Sequence, residues 1–425
     1  MFNIRKIILI YLYGFLLLDS LMGVLLKRIY SERLFLNPGQ IIRGVILLLL
    51  LFHLLHNILF KDKINEIGKY LLILFCFFIG FLILLFFRFS SLSAIFVEIS
   101  YFSKILFMLL LFYFIDENYF YYKSRFNKII NINFIIFSAS ILIGHLSRIG
   151  FASYKNIESS KGFFYGGNPT AILSIIFFTY HLYNFRMKIM NIMFLFLALY
   201  LIYLSGSKVL FFIPVVMITF LLNKFKTKKY FGGIITGGVL SILLVIVFHS
   251  KIENQIEKIY FSRYQGKIQK NLDAYYHDRD MFSNPILREL SRTNFRRAYQ
   301  ADIQLNKMIS NPELIIFGSG KYDQLELFET DAAMDIFDIF YQYGILGTFL
   351  IFILIFKVMF NIIRKRQIDR NSVIILLFIF YSFFGGHVIY VPTSNSLFAL
   401  FLGMKYNEMN KKERLFTANR RLGKL

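Results

Sequence analysis

The sequence lacks tryptophan and contains a single cysteine, Cys76, within an apolar stretch. Because one cysteine cannot pair within its own chain, no loop of this protein is closed by an intrachain disulfide. Tryptophan is common at membrane surfaces, so phenylalanine and tyrosine must supply the aromatic contacts with lipid and any aromatic belt.

Sequence signals for cofactors are also missing. The chain contains no Walker loop, no dinucleotide-binding fingerprint and no cluster of His, Cys and carboxylate residues with the spacing of metal ligands. The sequence therefore disfavours a metal-dependent or nucleotide-dependent mechanism, and we expect no cofactor and no metal site. Any energy for a reaction must then reside in the substrate itself. No internal repeat is visible, which weakly disfavours a secondary transporter.

Apolar residues dominate what is present. They make up 57% of the chain, and the mean hydropathy is +0.59. They fall in blocks of about twenty residues, the length that a helix needs to cross ~30 Å of hydrocarbon. We predict an all-α polytopic membrane protein with about twelve transmembrane helices and one large, partly helical extracytoplasmic loop. The predicted spans are 7–26, 41–60, 70–87, 92–115, 129–147, 169–185, 189–204, 209–223, 231–249, 336–360, 372–386 and 394–404.

Hydropathy divides the chain into four parts. We predict transmembrane helices 1–9 in residues 1–250, the large extracytoplasmic loop in 251–335, transmembrane helices 10–12 in 336–404 and a basic cytoplasmic tail in 405–425. Lys and Arg are in excess in alternate loops, starting with the N-terminal segment, as in cytoplasmic loops. Both termini are therefore predicted to be cytoplasmic. The net charge of +23 is scattered over these loops, which disfavours nucleic-acid binding.

The large loop is predicted to contain a helix between two Asn-Pro pairs. Asn284 can cap its first turn, Pro285 suits its first position, and Asn311-Pro312 ends it. After it, Phe317-Gly318-Ser319-Gly320 predicts a flexible turn at which the backbone can approach a ligand.

Arginines form a stripe on this helix. Arg288, Arg292 and Arg296 recur every four residues and share one face, with Arg297 beside them. Stacked guanidinium groups repel one another unless an anion lies across them, and guanidinium binds phosphate oxygens in a bidentate manner. The stripe therefore indicates either a phosphate site or a helix that lies on anionic headgroups.

Carboxylates lead into the next span. Asp331 precedes it, and Asp335 and Asp338 share one helical face at the boundary between water and lipid. Carboxylates at this depth are costly unless they face a polar cavity. Two explanations stay open, a catalytic base or ordinary charge complementarity with the N-terminal end of a helix.

Four further charged residues stand out. Lys208 and Arg148 each follow a span on the predicted outer side, where they either bind an anionic substrate or snorkel to the interface. Glu98 and Lys104 lie within the fourth span and are predicted to pair inside the bundle.

Four patterns occur in a fixed order: GFFYGGNPTAILS, SGSK, FRRAY followed by NPELIIFGSG, and AMDIFDIFYQYGILG. With the single large outer loop, they resemble the Wzy-type O-antigen and capsular polysaccharide polymerases, which share a membrane superfamily with the O-antigen ligases. The resemblance covers most of the chain. It implies a glycosyltransferase of the bacterial plasma membrane that joins undecaprenyl-diphosphate-linked repeat units on the outer face. The implied partners are these lipid-linked glycans and the bilayer, with a chain-length regulator as a further candidate.

The resemblance also implies roles for residues. By position, Lys208 and Arg297 match the cations thought to hold the diphosphate in relatives. Where the superfamily often has Arg, this chain has Lys208, so bidentate binding is lost there. The predicted site is completed by Arg148, Arg292 and Arg296 as supporting cations, with Arg297 also contributing to catalysis, and by Asp335 or Asp331 as the candidate base.

Two other functions stay open at this stage. Related ligases carry a His followed by Asn, Ser or Gln at the position that Ala333-Met334 occupies here, counted back from Gly344. This difference favours a polymerase over a ligase. A flippase for lipid-linked oligosaccharides is the non-enzymatic alternative, and we expect a flippase to lack a large outer loop and to place more cations inside the bundle.

Overall fold

In the part of the chain that the structure describes, helices form at long apolar blocks and at polar segments such as the one that begins at Pro285. The computed structural model describes residues 3–28, 38–60, 65–152, 159–164, 166–185, 188–205, 209, 212–224, 283–328, 334–364, 369–384, 386 and 388–421. The predicted span 231–249, Lys208 and Asp331 lie outside these residues, so these three predictions stay untested. The described part is helical apart from short connections and a single isolated bridge between Phe151 and Gly162.

The helices are numbered in chain order. They are α1 (Ile4–Arg28), α2 (Pro38–Phe60), α3 (Glu66–Phe89), α4 (Leu92–Glu117), α5 (Tyr119–Lys123), α6 (Phe126–Leu146), α7 (Gly167–Tyr183), α8 (Ile189–Ser205), α9 (Phe212–Lys224), α10 (Pro285–Ser310), α11 (Pro312–Phe317), α12 (Lys321–Phe328), α13 (Asp335–Arg364), α14 (Arg370–Phe384) and α15 (Pro392–Arg421).

The prediction of a multi-pass helical membrane protein is confirmed at this level. Within the described residues, six helices are long and apolar enough to cross a membrane, namely α1, α2, α3, α4, α6 and α13. Three shorter apolar helices, α8, α9 and α14, lie at further predicted spans. Because backbone groups in lipid must bond within their own segment, the helical form of these apolar blocks is what a bilayer requires.

The centre of the bundle is built around α4 and α7. α4 packs against α15, α3 and α2, while α7 packs against α8 and α14. Residues 169–182 of α7 are all buried. Its hydroxyl groups are satisfied inside the helix, since Ser174 Oγ donates to the Thr170 carbonyl at 2.9 Å and Thr179 Oγ1 to the Ile175 carbonyl at 2.7 Å. Hydroxyl groups can therefore be buried here without a partner helix.

The last helix extends well beyond the predicted span 394–404. α15 continues to Arg421, through most of the segment predicted as a tail. Hydropathy ends the span at Lys405 because that residue is charged, yet its ammonium is buried and paired with Asp369. Tyr406 and Met409 are also buried, so the helix keeps a packed face beyond its apolar block.

One end of the bundle carries the helices of the large loop, and we call it the loop end. There α10 packs against α11 and α13, α11 against α13, and α12 against α4. The predicted cap of α10 is confirmed, because the Leu287 N–H donates to Asn284 Oδ1 at 3.3 Å. The other end, where Glu66, Glu117 and Lys405 lie, is called the opposite end.

Candidate functional site

The turn between α11 and α12 is fastened to α13 by backbone hydrogen bonds. The Ser319 N–H donates to the Tyr341 carbonyl at 2.8 Å, and the Gly320 N–H to the Gln342 carbonyl at 3.0 Å. α13 is interrupted just after these carbonyls, at Gly344, whose φ of 62° and ψ of −169° are not helical. Such a conformation is adopted almost only by glycine.

Two glycines allow this close approach. A Cβ on Gly318 would lie 2.2 Å from the Gln342 carbonyl oxygen, and a Cβ on Gly344 would lie 2.3 Å from the Ile316 carbonyl oxygen. The sequence correctly indicated a turn with close backbone approach. The backbone of this turn approaches α13 of the same chain, and its approach to a ligand stays a prediction.

Asp323 ties three helices together beside this turn. Lys307 Nζ of α10 lies 2.7 Å from both carboxylate oxygens, Tyr341 Oη of α13 donates to Oδ2 at 2.6 Å, and Ser319 Oγ also donates to Oδ2. Burial would raise the pKa of Asp323, but the hydrogen bonds from Lys307, Ser319 and Tyr341 outweigh it and the pKa is lowered. Asp323 therefore holds α12 in place as a carboxylate.

A chain of hydrogen bonds then leads from α12 into the bundle. Lys321 Nζ donates to Gln324 Oε1 at 2.8 Å, and Gln342 Nε2 donates to the same oxygen at 2.7 Å. Gln324 Nε2 donates to Asp338 Oδ1 at 2.6 Å, and Tyr390 Oη to Gln342 Oε1 at 2.7 Å. All five of these side chains are buried.

Glu98 of α4 adjoins this chain. Its Oε1 accepts the Tyr322 N–H at 2.9 Å. Its Oε2 is buried and has no hydrogen-bond partner within the part of the chain that is described. The predicted ion pair between Glu98 and Lys104 is not formed among these residues; α12 provides the contacts of Glu98 instead, because its N-terminal turn packs onto α4.

Two lysines share one aromatic ring at this place. Lys104 Nζ lies 4.0 Å and Lys321 Nζ 4.6 Å from the centre of the Tyr101 ring. A desolvated ammonium over an aromatic face is stabilised by a cation–π interaction of ~2 kcal/mol. We call the group of Glu98, Tyr101, Lys104, Lys321, Gln324, Asp338, Gln342 and Tyr390 the polar junction.

Lys321 has an unusual electrostatic setting. It lies in the loop helix α12, yet its side chain is 0% exposed. Burial lowers the pKa of Lys321 to about 8, while Asp338 and Glu98 raise it and Lys104 lowers it. Near neutral pH the group is thus close to its point of proton release, a common property of residues at functional sites.

Asp335, one of the two candidate bases, lies next to the polar junction. Its side chain is fully buried, and its Oδ2 accepts the N–H groups of Val388 at 2.7 Å and Ile389 at 3.0 Å. These bonds fasten the segment before α15 to the start of α13. A role for Asp335 as the base stays a prediction, and this geometry gives the carboxylate a clear structural task.

Arg297 is half-buried on α10 at the same end of the bundle. The neighbouring Ala298 and Ala301 pack with Met334, the residue before Asp335, in one apolar cluster. The fold therefore brings the Arg297 segment to the start of α13. The side chains of Arg292 and Arg296 lie outside the described part, and their assignment stays a prediction.

Arg148 is exposed at the end of α6, with a positive φ of 55°. The loop that follows it packs elsewhere at the loop end: the Ser160 N–H donates to the Leu204 carbonyl of α8 at 2.8 Å, and Phe163 contacts α1 at Gly23. Arg148 thus lies at the same end as α10. However, the loop after Arg148 packs on α1 and α8, whereas α10 packs on α13.

Sequence reasoning missed Lys321, Gln324, Gln342 and Tyr390. Each is an ordinary polar residue in its own segment, and only the docking of α12 brings them together. The sole sequence signal is the spacing of three between Lys321 and Gln324, which places both on one helical face.

The junction combines a carboxylate with a free oxygen, two ammonium groups and a set of amide and phenol groups. The carboxylate can accept a proton from a hydroxyl group, and the ammonium groups can stabilise an anion nearby. No protein-family model matches the chain, and no curated protein matches it.

Proposed function

We propose that this protein is a membrane glycosyltransferase that joins undecaprenyl-diphosphate-linked oligosaccharide repeat units into O-antigen or capsular polysaccharide. The reaction takes place at the loop end of the bundle, on the outer face of the bacterial plasma membrane, and both termini are cytoplasmic. The proposal combines the resemblance in the order of sequence patterns with the chemistry of the polar junction.

One observation carries the proposal. Lys321, a loop residue, is fully buried beside Glu98 of a membrane-spanning helix. Ionisable groups inside a helical membrane bundle are costly, and they most often mark sites at which substrates bind or react. The loop end is also the place at which a lipid-linked sugar can present its glycan to water while its tail stays in the bilayer.

The chemistry needs cations near the leaving group. When the glycan leaves its carrier, negative charge develops on the polyprenyl diphosphate, and one preorganised electrostatic contact typically contributes ~10²–10³ in rate. Arg297 and Lys208 are assigned to this charge, with Arg148, Arg292 and Arg296 in support. Removal of the proton from the acceptor hydroxyl group is assigned to a carboxylate at the same end.

A flippase for lipid-linked oligosaccharides is the second candidate. The observation in its favour is the position of Lys104 and Lys321 within the bundle, since a flippase must guide an anionic headgroup between its helices. The loop helices α10–α12 favour the polymerase, because they are docked on one end of the bundle and transport of a headgroup between helices does not require them.

Deletion of the gene separates these functions. Loss of a polymerase leaves surface glycan with single repeat units, whereas loss of a flippase leaves repeat units trapped at the cytoplasmic face. The readout is gel electrophoresis of surface glycan together with extraction of lipid-linked repeats. Complementation with the wild-type gene must restore long chains.

Arg297→Ala gives a sharper test in the same cells. We expect surface glycan with single repeats at normal protein level, because one cation for the diphosphate is lost. Arg125→Ala, a matched change at the opposite end, is expected to leave chain length unchanged. Wild-type chain lengths in Arg297→Ala would remove Arg297 from the site.

A further inference from the structure

Four buried carboxylates lie on α4, α12 and α13 at the loop end, and they differ in one respect. Asp323 is bonded by Lys307, Ser319 and Tyr341, and Asp335 accepts two backbone N–H groups. Asp338 is bonded at both oxygens, by Gln324 Nε2 and by the Met334 N–H at 3.1 Å. Glu98 alone has an oxygen, Oε2, that is buried without a partner.

The carboxylate of Glu98 is held in a fixed orientation. Its Oε1 accepts the Tyr322 N–H, so the side chain is anchored to the first turn of α12. A Cβ on Gly320 would lie 2.9 Å from Oε1 and 3.2 Å from Leu85, so the glycine lets the loop backbone close over the carboxylate. One oxygen is thus used for position and the other is left for a further donor.

An ammonium group lies near the Glu98 carboxylate. Lys321 is close enough for electrostatic interaction with it. Tyr101, one helical turn after Glu98, is half-buried, as is Lys104 beyond it, and Ile99 is 42% exposed. The junction therefore reaches the surface of α4 within one turn of Glu98.

The buried Oε2 atom of Glu98 can accept a hydrogen bond that no described residue donates. Leaving a buried acceptor unsatisfied costs ~1–3 kcal/mol, and more when the group is charged. A hydroxyl group is a donor that would satisfy it. The acceptor sugar of the proposed reaction offers such a hydroxyl group.

We infer that Glu98 is the general base that takes the proton from the acceptor hydroxyl group during glycan transfer. This inference rests on the proposed function. The hydroxyl oxygen bonds to the anomeric carbon of the donor glycan as the bond from that carbon to the diphosphate oxygen breaks. The electron pair of the broken bond leaves with the polyprenyl diphosphate, and the hydroxyl proton passes to Glu98 Oε2. No further reactant is needed.

Glu98→Gln in the purified full-length protein tests the inference. Glutamine keeps an oxygen that can accept the Tyr322 N–H, so the docking of α12 is retained while the basic oxygen is lost. The assay uses a synthetic polyprenyl-diphosphate-linked repeat unit in detergent and measures single-turnover transfer, donor binding and thermal stability. We expect a loss of ~10²–10⁴ in transfer rate with donor binding and stability unchanged.

Glu66→Gln is the matched control, because it makes the same change on α3 at the opposite end of the bundle. It is expected to transfer at the wild-type rate. A wild-type rate in Glu98→Gln would overturn the inference while the proposed function stands. Absence of transfer by the wild-type protein itself, with donor bound, would overturn the proposed function.

Glu98→Asp decides the question if Glu98→Gln does not fold. Aspartate keeps the charge and both oxygens, but its side chain is shorter by one methylene group. If Glu98 is the base, the shorter carboxylate cannot reach the hydroxyl group, so the transfer rate should fall while donor binding is kept. A wild-type rate in Glu98→Asp would contradict a role in proton transfer.

Discussion

Both ends of the bundle use carboxylates to fasten helices, and the loop end also holds one carboxylate, Glu98, that is bonded differently. At the opposite end, Lys357 Nζ lies 2.5 Å from Glu66 Oε2, Lys405 pairs with Asp369, and His53 Nε2 lies 2.6 Å from Glu117 Oε2. At the loop end, Glu98 is held by a backbone N–H while Lys321 donates to an amide. The carboxylates in ion pairs fasten helices, whereas Glu98 keeps one oxygen without a hydrogen-bond donor among the described residues, and the proposed reaction assigns this oxygen to the substrate.

A cleft at the opposite end sharpens the contrast. It has a volume of about 390 Å³ and is lined partly by Asn65, Asp116 and Asn407. Asp116 accepts hydrogen bonds from both Asn407 at 3.0 Å and Asn65 at 3.4 Å. Both oxygens of Asp116 are thus bonded within this cleft, in contrast to those of Glu98.

Gly344→Ala is expected to have the largest effect on the loop end. The substitution forces alanine into a backbone region reserved for glycine, at a cost of ~1–3 kcal/mol, and drives its Cβ into the Ile316 carbonyl. Thermal unfolding of the purified protein should show a clear loss of stability. Gly80→Ala, where a Cβ meets nothing within 4 Å, is the control, and equal melting temperatures for both variants would contradict the docking of α11 onto α13.

Lys321→Met and Lys357→Met compare one lysine from each end. Lys321→Met removes the buried ammonium beside Glu98, so we expect transfer to fall by ~10²–10³. Lys357→Met breaks a partly exposed pair, which should change stability by only ~0–1 kcal/mol and leave transfer intact. Equal transfer rates in the two variants would remove the distinction between the ends.

The two lysine variants should also differ in how the transfer rate depends on pH. Burial lowers the pKa of Lys321 to about 8, so the ammonium is lost as pH rises through about 8 and wild-type transfer should decline there. Lys321→Met should lack this decline, and Lys357→Met should keep it.

Acid should loosen both ends alike, which is the smallest expected effect. The pKa of Asp323 and that of Asp369 both lie below the usual 3.8: burial raises each, but hydrogen bonds and nearby lysines outweigh burial. A depressed pKa contributes stability above pH 3.8 that is lost as pH falls through the folded-state pKa. Protection of the Ser319 and Ser372 amides from hydrogen exchange, taken relative to the intrinsic exchange rate at each pH, should therefore fall only below about pH 4. Asp323→Asn should abolish the pH response of Ser319 alone, and opening of either site between pH 7 and 5 would contradict this assignment.

Sequence patterns predicted the six long apolar helices of the described residues because an apolar block of about twenty residues is a strong local signal. The limits of α10 followed from Asn284-Pro285 for a similar reason, since caps are encoded within a few residues. The extension of α15 was missed because Lys405 reads as exposed until its partner Asp369 is known.

The polar junction could not be predicted in this way. Glu98, Lys321 and Gln342 come from three distant segments, and no local pattern specifies that α12 docks on α4. The glycines of the Phe317–Gly320 turn indicated close backbone approach, but glycine does not encode what it approaches. Tertiary contacts alone select which carboxylate keeps a free oxygen.

The most direct measurement is the release of polyprenyl diphosphate by the purified wild-type protein supplied with a single lipid-linked repeat unit. We predict one diphosphate carrier released for each repeat unit joined, with both products lost together in Glu98→Gln. Movement of the lipid-linked unit across a vesicle membrane without carrier release would contradict a transferase and identify a transporter.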